Sequence, residues 1–155
     1  MKKFALVFIV AILFANMSCM KDKNCSANPV ANEASTIEAY ALVKGINALP
    51  HASGIYYEII DQGSGATATI NSKITITYRG ELLDGQKFDE RTTPNDPAWP
   101  LGELIEGWII GIPLVKAGGH IKLIIPSALG YGCTGRGAIP PNAPLYFDIN
   151  LVSVQ

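Results

Sequence analysis

Apolar and polar residues alternate in several stretches of the chain's later two thirds. Ile74, Ile76 and Tyr78 alternate with Thr75, Thr77 and Arg79, which is the period of a half-buried strand. Ile121, Leu123 and Ile125 alternate with His120, Lys122 and Ile124, and Leu145, Phe147, Ile149 and Leu151 with Tyr146, Asp148, Asn150 and Val152. Residues 55–60 are rich in β-formers and predict a further strand. Asp84-Gly85 is a tight-turn pair that leads into Lys87-Phe88-Asp89. Residues 104–114 carry Trp108, Ile109 and Ile112 and predict one short helix, which Pro113 should disrupt. The sum is an antiparallel sheet with a short helix against one face, an α+β domain over residues 54–155.

Upstream the rhythm differs. Residues 35–44 read as a short helix, with Ser35 or Thr36 as N-cap, Glu38 three places after Ser35, and Gly45 at the end. Ile37, Tyr40, Ala41 and Lys44 fall at helical spacing, and so short a helix should lean on the domain or on a partner. Helix and linker together occupy residues 35–53. Residues 19–34 are small and polar and read as a flexible tether. Before them, Lys2 and Lys3 precede an apolar run over residues 4–14. That run is shorter than the roughly 20 residues that span a bilayer, and it has the form of a signal-peptide core. Ser18-Cys19 directly after it resembles the lipobox of bacterial lipoproteins. The resemblance implies a signal peptide over 1–18, lipid attachment at Cys19, and a membrane-anchored protein of the bacterial envelope, with the outer membrane as the expected site.

The 155 residues suit a single domain. A net charge of −1 and the absence of a Lys/Arg run give no footprint for nucleic acid. Apart from Cys19, Cys25 lies in the polar tail and Cys133 in a Gly-rich loop. A bridge between them is open in an oxidising compartment, but two unpaired thiols are the expected state. Neither has a base beside it, so a thiol nucleophile is not indicated.

Most reaction chemistry lacks its parts. There is no GxSxG and no HExxH, and His51 and His120, the only histidines, read as solvated surface. No metal or cofactor site is indicated. Gly130, Gly132 and Gly135 match GxGxxG, but Gly137, Pro140 and Pro141 follow where a dinucleotide site needs a helix. Asp89 and Glu90 are strand neighbours and should point to opposite faces. Glu103 and Glu106 should form a solvated helical face.

What remains is a set of large apolar side chains in a recognisable order. Tyr78, Gly80, Leu82, Asp84, Gly85, Phe88 and Asp89 follow Y-x-G-x-L-x-D-G-x-x-F-D. Leu104-Ile105-Glu106-Gly107-Trp108 then resembles a V-I-x-G-W helix start, and Ile121 to Pro126, Tyr131-Gly132, Ile139-Pro140-Pro141-Asn142 and Leu145 to Leu151 follow in turn. This order resembles the FKBP-type peptidyl-prolyl cis–trans isomerases over residues 54–155. The resemblance implies a half-open antiparallel β-sheet wrapped around one short α-helix, with a small apolar pocket between them. By position, Trp108 becomes its floor and Tyr78, Phe88, Leu104, Ile105 and Ile139 its walls, with Trp99 and Phe147 in the same substrate-binding set. Asp89 becomes the acidic residue at the edge. Tyr131 becomes the donor to a substrate carbonyl. Pro97 stands where many members have an aromatic, the segment from Leu101 to Trp108 is short, and Arg136 and Ala138 are unusual in the overhanging loop. These departures bear on substrate preference and on affinity for macrolide inhibitors, a ligand class the family implies.

Such a pocket needs no nucleophile. Rotation about a peptide bond costs about 18–20 kcal/mol, and an X–Pro bond takes about 10–100 s unaided. The planar amide is the more dipolar form, so a dry pocket disfavours it relative to the twisted state. The resemblance therefore implies an isomerase acting on proline-containing polypeptides of the cell envelope, and because the helix over 35–44 is too short to dimerise by itself, a monomer is expected. The alternative is a non-catalytic anchored module that uses the same pocket to hold proline-containing partners.

Overall fold

The computed structural model describes residues 25–155. The signal peptide expected over 1–18 and the lipid attachment expected at Cys19 lie outside the described residues. The strands are β1 (Leu49–Pro50), β2 (Tyr56–Asp61), β3 (Lys73–Leu82), β4 (Lys87–Arg91), β5 (Trp99–Pro100), β6 (His120–Ile125) and β7 (Leu145–Val154). They form one seven-stranded sheet in the order β1-β2-β6-β7-β3-β4, with β5 pairing the start of β3. Every pairing is antiparallel. The longest joins β3 to β7, from Ile74 opposite Val154 to Leu82 opposite Leu145.

The alternation in the sequence sorts side chains onto two faces. Ile74, Ile76, Ile121, Leu123, Phe147, Ile149 and Leu151 pack in one cluster with Leu101, Trp108 and Ile112. Helix α2 (Glu106–Gly111) supplies Trp108 to this cluster, and the sheet half-encloses it. The fold is thus α+β, a half-open antiparallel sheet around a short helix. The helix is shorter than residues 104–114. Leu104 is extended and Ile105 is the N-cap, while 112–114 continue as a 3-10 turn with Pro113 in its opening positions. Pro113 has no N–H to carry the α-helical bonding past Ile112, so the α-helix ends and the chain tightens into the 3-10 turn. Glu103 falls in a separate 3-10 turn, Leu101–Glu103, so it does not share a helix with Glu106.

Part of the second face is covered too. Tyr56, Ile124 and Tyr146 stand opposite one another across β2, β6 and β7. Helix α1 (Val30–Lys44) lays Ile37, Tyr40 and Ala41 against them. This explains why Ile124 is apolar on the polar beat of its strand.

Helix α1 begins five residues before the predicted start, and Ser35 and Thr36 lie inside it, with Pro29 at the N-cap. Gly45 ends it in a left-handed conformation at φ 64°, its N–H returning to helix carbonyls. The tether predicted to run to residue 34 is folded from residue 25, because three of its residues find partners in the domain. Cys25 is disulfide-bonded to Cys133, which corrects the expectation of free thiols. The backbone N–H of Asn28 donates to Asn142 Oδ1 at 3.2 Å, and the buried Glu33 accepts from Ser127.

Helix α2 lies so near β6 that a Cβ on Gly107 would fall 2.4 Å from Cγ2 of Ile125. Gly107→Val should therefore lower the unfolding free energy by about 1–3 kcal/mol, the usual cost of overpacking. Urea unfolding measures it, and an unchanged midpoint would contradict this packing.

Candidate functional site

A single row of residues crosses the concave face of the sheet. Tyr57, Leu123, Phe147, Gly80 and Asp89 stand opposite one another in successive strands. Between β3 and β4 the register shifts, so that Gly80 faces Asp89 while Glu81 faces Lys87. Phe88 is the extra residue of this bulge, and a bulge re-aims the side chains around it. Phe88 and Asp89 both reach one hollow as a result. Glu90 turns away, as expected, to bind Lys87.

Aromatic rings build the hollow edge to face. Trp108 lies 5.1 Å from Tyr78 and 5.0 Å from Phe147, at interplanar angles of 80° and 77°. Phe88 meets Phe147 at 5.5 Å and 85°. Rings prefer such contacts, which bring a positive edge to a negative face. Gly80 makes the arrangement possible, since a Cβ there would lie 2.7 Å from the Phe88 ring and 2.9 Å from that of Phe147. The indole Nε1 of Trp108 is buried with no partner among the described residues.

One rim is carried by β5. Trp99 stands 6.3 Å from Tyr78, under the Arg91 guanidinium at 5.1 Å. The loop before β5 is held by Asn95, which is 3% exposed. Its side chain accepts from the Ile76 N–H at 2.7 Å and donates to the carbonyls of Ile74 and Pro97. Asn95 thus satisfies backbone groups of β3 in the gap between the stretch that β5 pairs, up to Ile74, and the stretch that β4 pairs, from Tyr78. The opposite rim is the loop over residues 126–144, which brings Tyr131 and Ile139 over the hollow. Arg136 sits on the Tyr131 ring at 5.7 Å.

The hollow measures about 570 Å³. It gathers Tyr78, Phe88, Asp89, Trp99, Leu104, Ile105, Trp108, Tyr131, Ile139 and Phe147, all ten side chains that the sequence set in a pocket. Pro100, Glu103, Arg136, Gly137 and Ala138 also line it. Among these, Glu103 is exposed, as the sequence predicts, and stands at the rim. Gly130, Gly132 and Gly135 lie in turns, and the next regular element is β7 rather than a helix. The histidines stand outside the hollow. His120 is only partly exposed and shares a hydrogen bond with Asp148, and His51 contacts Ser53.

At the edge of the hollow Tyr78 pairs with Asp89. The phenol donates to Asp89 Oδ2 at 2.5 Å, and Asp89 Oδ1 accepts the Glu90 N–H at 2.8 Å. Burial first, then the bond to Asp89, push the Tyr78 phenol above its ordinary range. Chemically, the hollow can strip water from a compact apolar ring and offer a few polar groups at its edge. It contains no nucleophile paired with a base.

A half-open sheet around one helix, with an aromatic-floored hollow at its rim, defines an FKBP-like protein. Residues 65–152 match the family described as FKBP-type peptidyl-prolyl cis-trans isomerase. The chain is 36% identical over 119 residues to the FKBP-type peptidyl-prolyl cis-trans isomerase FkpA of Escherichia coli K12, an alignment covering 76% of this chain and 43% of that protein. The crystal structure of FkpA from Escherichia coli superposes with a TM-score of 0.71 at 31% identity, over 81% of this chain and 61% of that one. A peptidyl-prolyl cis-trans isomerase from Pseudomonas syringae pv. tomato superposes at 0.68 with 28% identity, over 84% and 98%. The chain belongs to the FKBP-type peptidyl-prolyl cis-trans isomerase family. It spans less than half the length of the curated Escherichia coli FkpA.

Gly80→Ala should drive the Phe88 ring into the hollow. The unfolding free energy should fall by about 1–3 kcal/mol, and the tryptophan fluorescence should change while far-UV circular dichroism stays unchanged. An unchanged urea midpoint would contradict the crowding at Gly80.

The buried phenols set a limit at high pH. Tyr40 is raised to about 12 by burial and then by Glu81, and Tyr78 and Tyr146 are raised further, chiefly by burial. Folding holds these groups protonated, so their contribution is complete below the unfolded value of about 10 and is lost as pH rises above it. The urea midpoint should be flat from pH 8 to 9.5 and fall beyond pH 10, with a shallower fall in Tyr78→Phe. A midpoint that does not fall between pH 10 and 11 would contradict the burial of these hydroxyls.

Proposed function

We propose that this chain accelerates cis–trans rotation about X–Pro bonds in proline-containing polypeptides of the bacterial envelope, without covalent chemistry. The observation that carries the reading is the aromatic hollow with Trp108 at its floor and polar groups only at its edge. Family membership supports it. The prolyl ring sits against Trp108 between Tyr78, Phe88 and Phe147. Burial there removes water from the planar amide, the better-solvated form, and so lowers the cost of twisting it. Tyr131 donates its hydroxyl to a substrate carbonyl. Asp89 holds the Tyr78 hydroxyl and keeps that ring upright as a wall. Trp99, Leu104, Ile105 and Ile139 complete the apolar enclosure, which is also where a macrolide inhibitor would dock.

The chain acts as a monomer held to a membrane through lipid on Cys19. From Cys19 to Cys25 the backbone can reach no more than about 20 Å. Cys25 is bonded to Cys133 in the overhanging loop, so an anchored chain carries its pocket close to the bilayer. That position suits clients still near the membrane.

The test is a proline-limited refolding assay with the purified full chain, with Asp89→Ala and Tyr131→Phe alongside. The wild type should accelerate the slow phase. Each folded variant should lose about tenfold in kcat/KM, equivalent to about 1.4 kcal/mol. A well-folded wild type that leaves the slow phase unchanged would sink the catalytic reading and favour an anchored binding module.

A further inference from the structure

The family match begins at residue 65, yet the chain before it reaches the rim of the hollow. Residues 25–33 are fastened to the loop over 126–144 in three places. Cys25 is bonded to Cys133, with their Cα atoms 5.5 Å apart. The Asn28 N–H donates to Asn142 Oδ1 at 3.2 Å. The Glu33 carboxylate accepts from the Ser127 N–H at 2.7 Å, from the Ser127 hydroxyl at 2.6 Å and from the Asn28 amide at 3.1 Å. Glu33 is 5% exposed and Ser127 0%. The fastenings fall at the start, middle and far end of the loop. Between them lie Tyr131 and the stretch from Arg136 to Ile139, all lining the hollow.

A connection this long, whose own ordering is a 3-10 turn at Ser127–Leu129, a backbone bridge between Arg136 and Ile139 and a few turn bonds, gains a fixed position on the sheet only where it is tied to the rest of the fold. Helix α1 is itself fixed to the opposite face of the sheet through Ile37, Tyr40 and Ala41. The arm is therefore a bracket that runs from the back of the sheet to the front rim. Burying a carboxylate is costly unless it is fully hydrogen-bonded. Three donors meet Glu33, and two of them belong to the first residue of the loop's 3-10 turn.

We propose that Glu33 and Cys25 are positioning residues for the hollow: the arm they belong to sets where Tyr131 and Ile139 stand over the bound X–Pro bond. The inference rests on the isomerase reading of the hollow given above. Groups that must meet a transition state tolerate little displacement, since an error near 1 Å can cost about 100-fold. A loop pinned at three points meets that demand without reorganising on each turnover.

The test uses the full chain carrying Glu33→Ala, Glu33→Gln, or Cys25→Ser with Cys133→Ser. Hydrogen exchange and isomerisation kinetics are measured on each. In Glu33→Ala and the double serine variant, exchange over 126–144 should quicken at least tenfold while α2 and β7 stay protected. Their kcat/KM should fall five- to twentyfold, and Glu33→Gln, which keeps one acceptor oxygen, should lie between. Unchanged exchange in the loop, or faster exchange with unchanged kcat/KM, would overturn the proposal. If Glu33→Ala does not fold, the double serine variant decides alone. If the wild type is itself inactive, the isomerase reading fails separately, and the dissociation constant of an X–Pro tetrapeptide takes the place of kcat/KM. A fivefold weakening in the variants then supports the bracket, and equal affinity overturns it.

Discussion

Helix α2 lies against β6 at a distance that leaves no room for a side chain at position 107, where a Cβ would collide with Ile125. That approach decides the rest of the concave face. It sets Trp108 one residue later at the depth where Tyr78 and Phe147 meet its ring edge to face at about 5 Å. Gly80 makes the matching concession on the sheet, leaving room for Phe88 and Phe147. The hollow is therefore a by-product of the core rather than a cavity cut into it. The same rings that hold helix to sheet present their free surface to a ligand. Each is fixed by its neighbours, so the shape is preorganised and little ordering is needed on binding.

The concave face of the sheet wraps α2, and α1 covers part of the other face, over Tyr56 and Ile124. The rest of that face is polar and open to water at Arg79 and Asn150. The position of α1 lets the N-terminal arm leave the back of the sheet and reach the front rim, through Glu33 to Ser127 and Cys25 to Cys133. Two polar side chains hold parts of this architecture in place. Asn95 replaces a missing strand partner beside β3, and Asp89 holds the Tyr78 hydroxyl.

The strands were legible because a strand with one buried face alternates, and Ile74 to Tyr78, Ile121 to Ile125 and Leu145 to Leu151 all do. The turn at Asp84-Gly85 and the end of α1 at Gly45 followed from turn and cap chemistry in the same way. Other features depend on contacts distant in sequence. Helix α1 starts at Val30 because Glu33 and Asn28 find partners some hundred residues away, which no local signal announces. The bond between Cys25 and Cys133 depends on the same docking. Phe88 and Asp89 share the hollow only because of a bulge that alternation would forbid. Asn95 looks like any loop asparagine until β3 is seen beside it. The order of the aromatic residues was legible as a resemblance; the edge-to-face packing that gives them a common surface was not.

The most direct test of the hollow as an X–Pro site is a crystal structure of the chain with a tetrapeptide containing one X–Pro bond. The expected result has the prolyl ring against the Trp108 indole, between Tyr78, Phe88 and Phe147, with the Tyr131 hydroxyl on a peptide carbonyl. A peptide bound elsewhere on the sheet, with the Trp108 floor left uncovered, would contradict it.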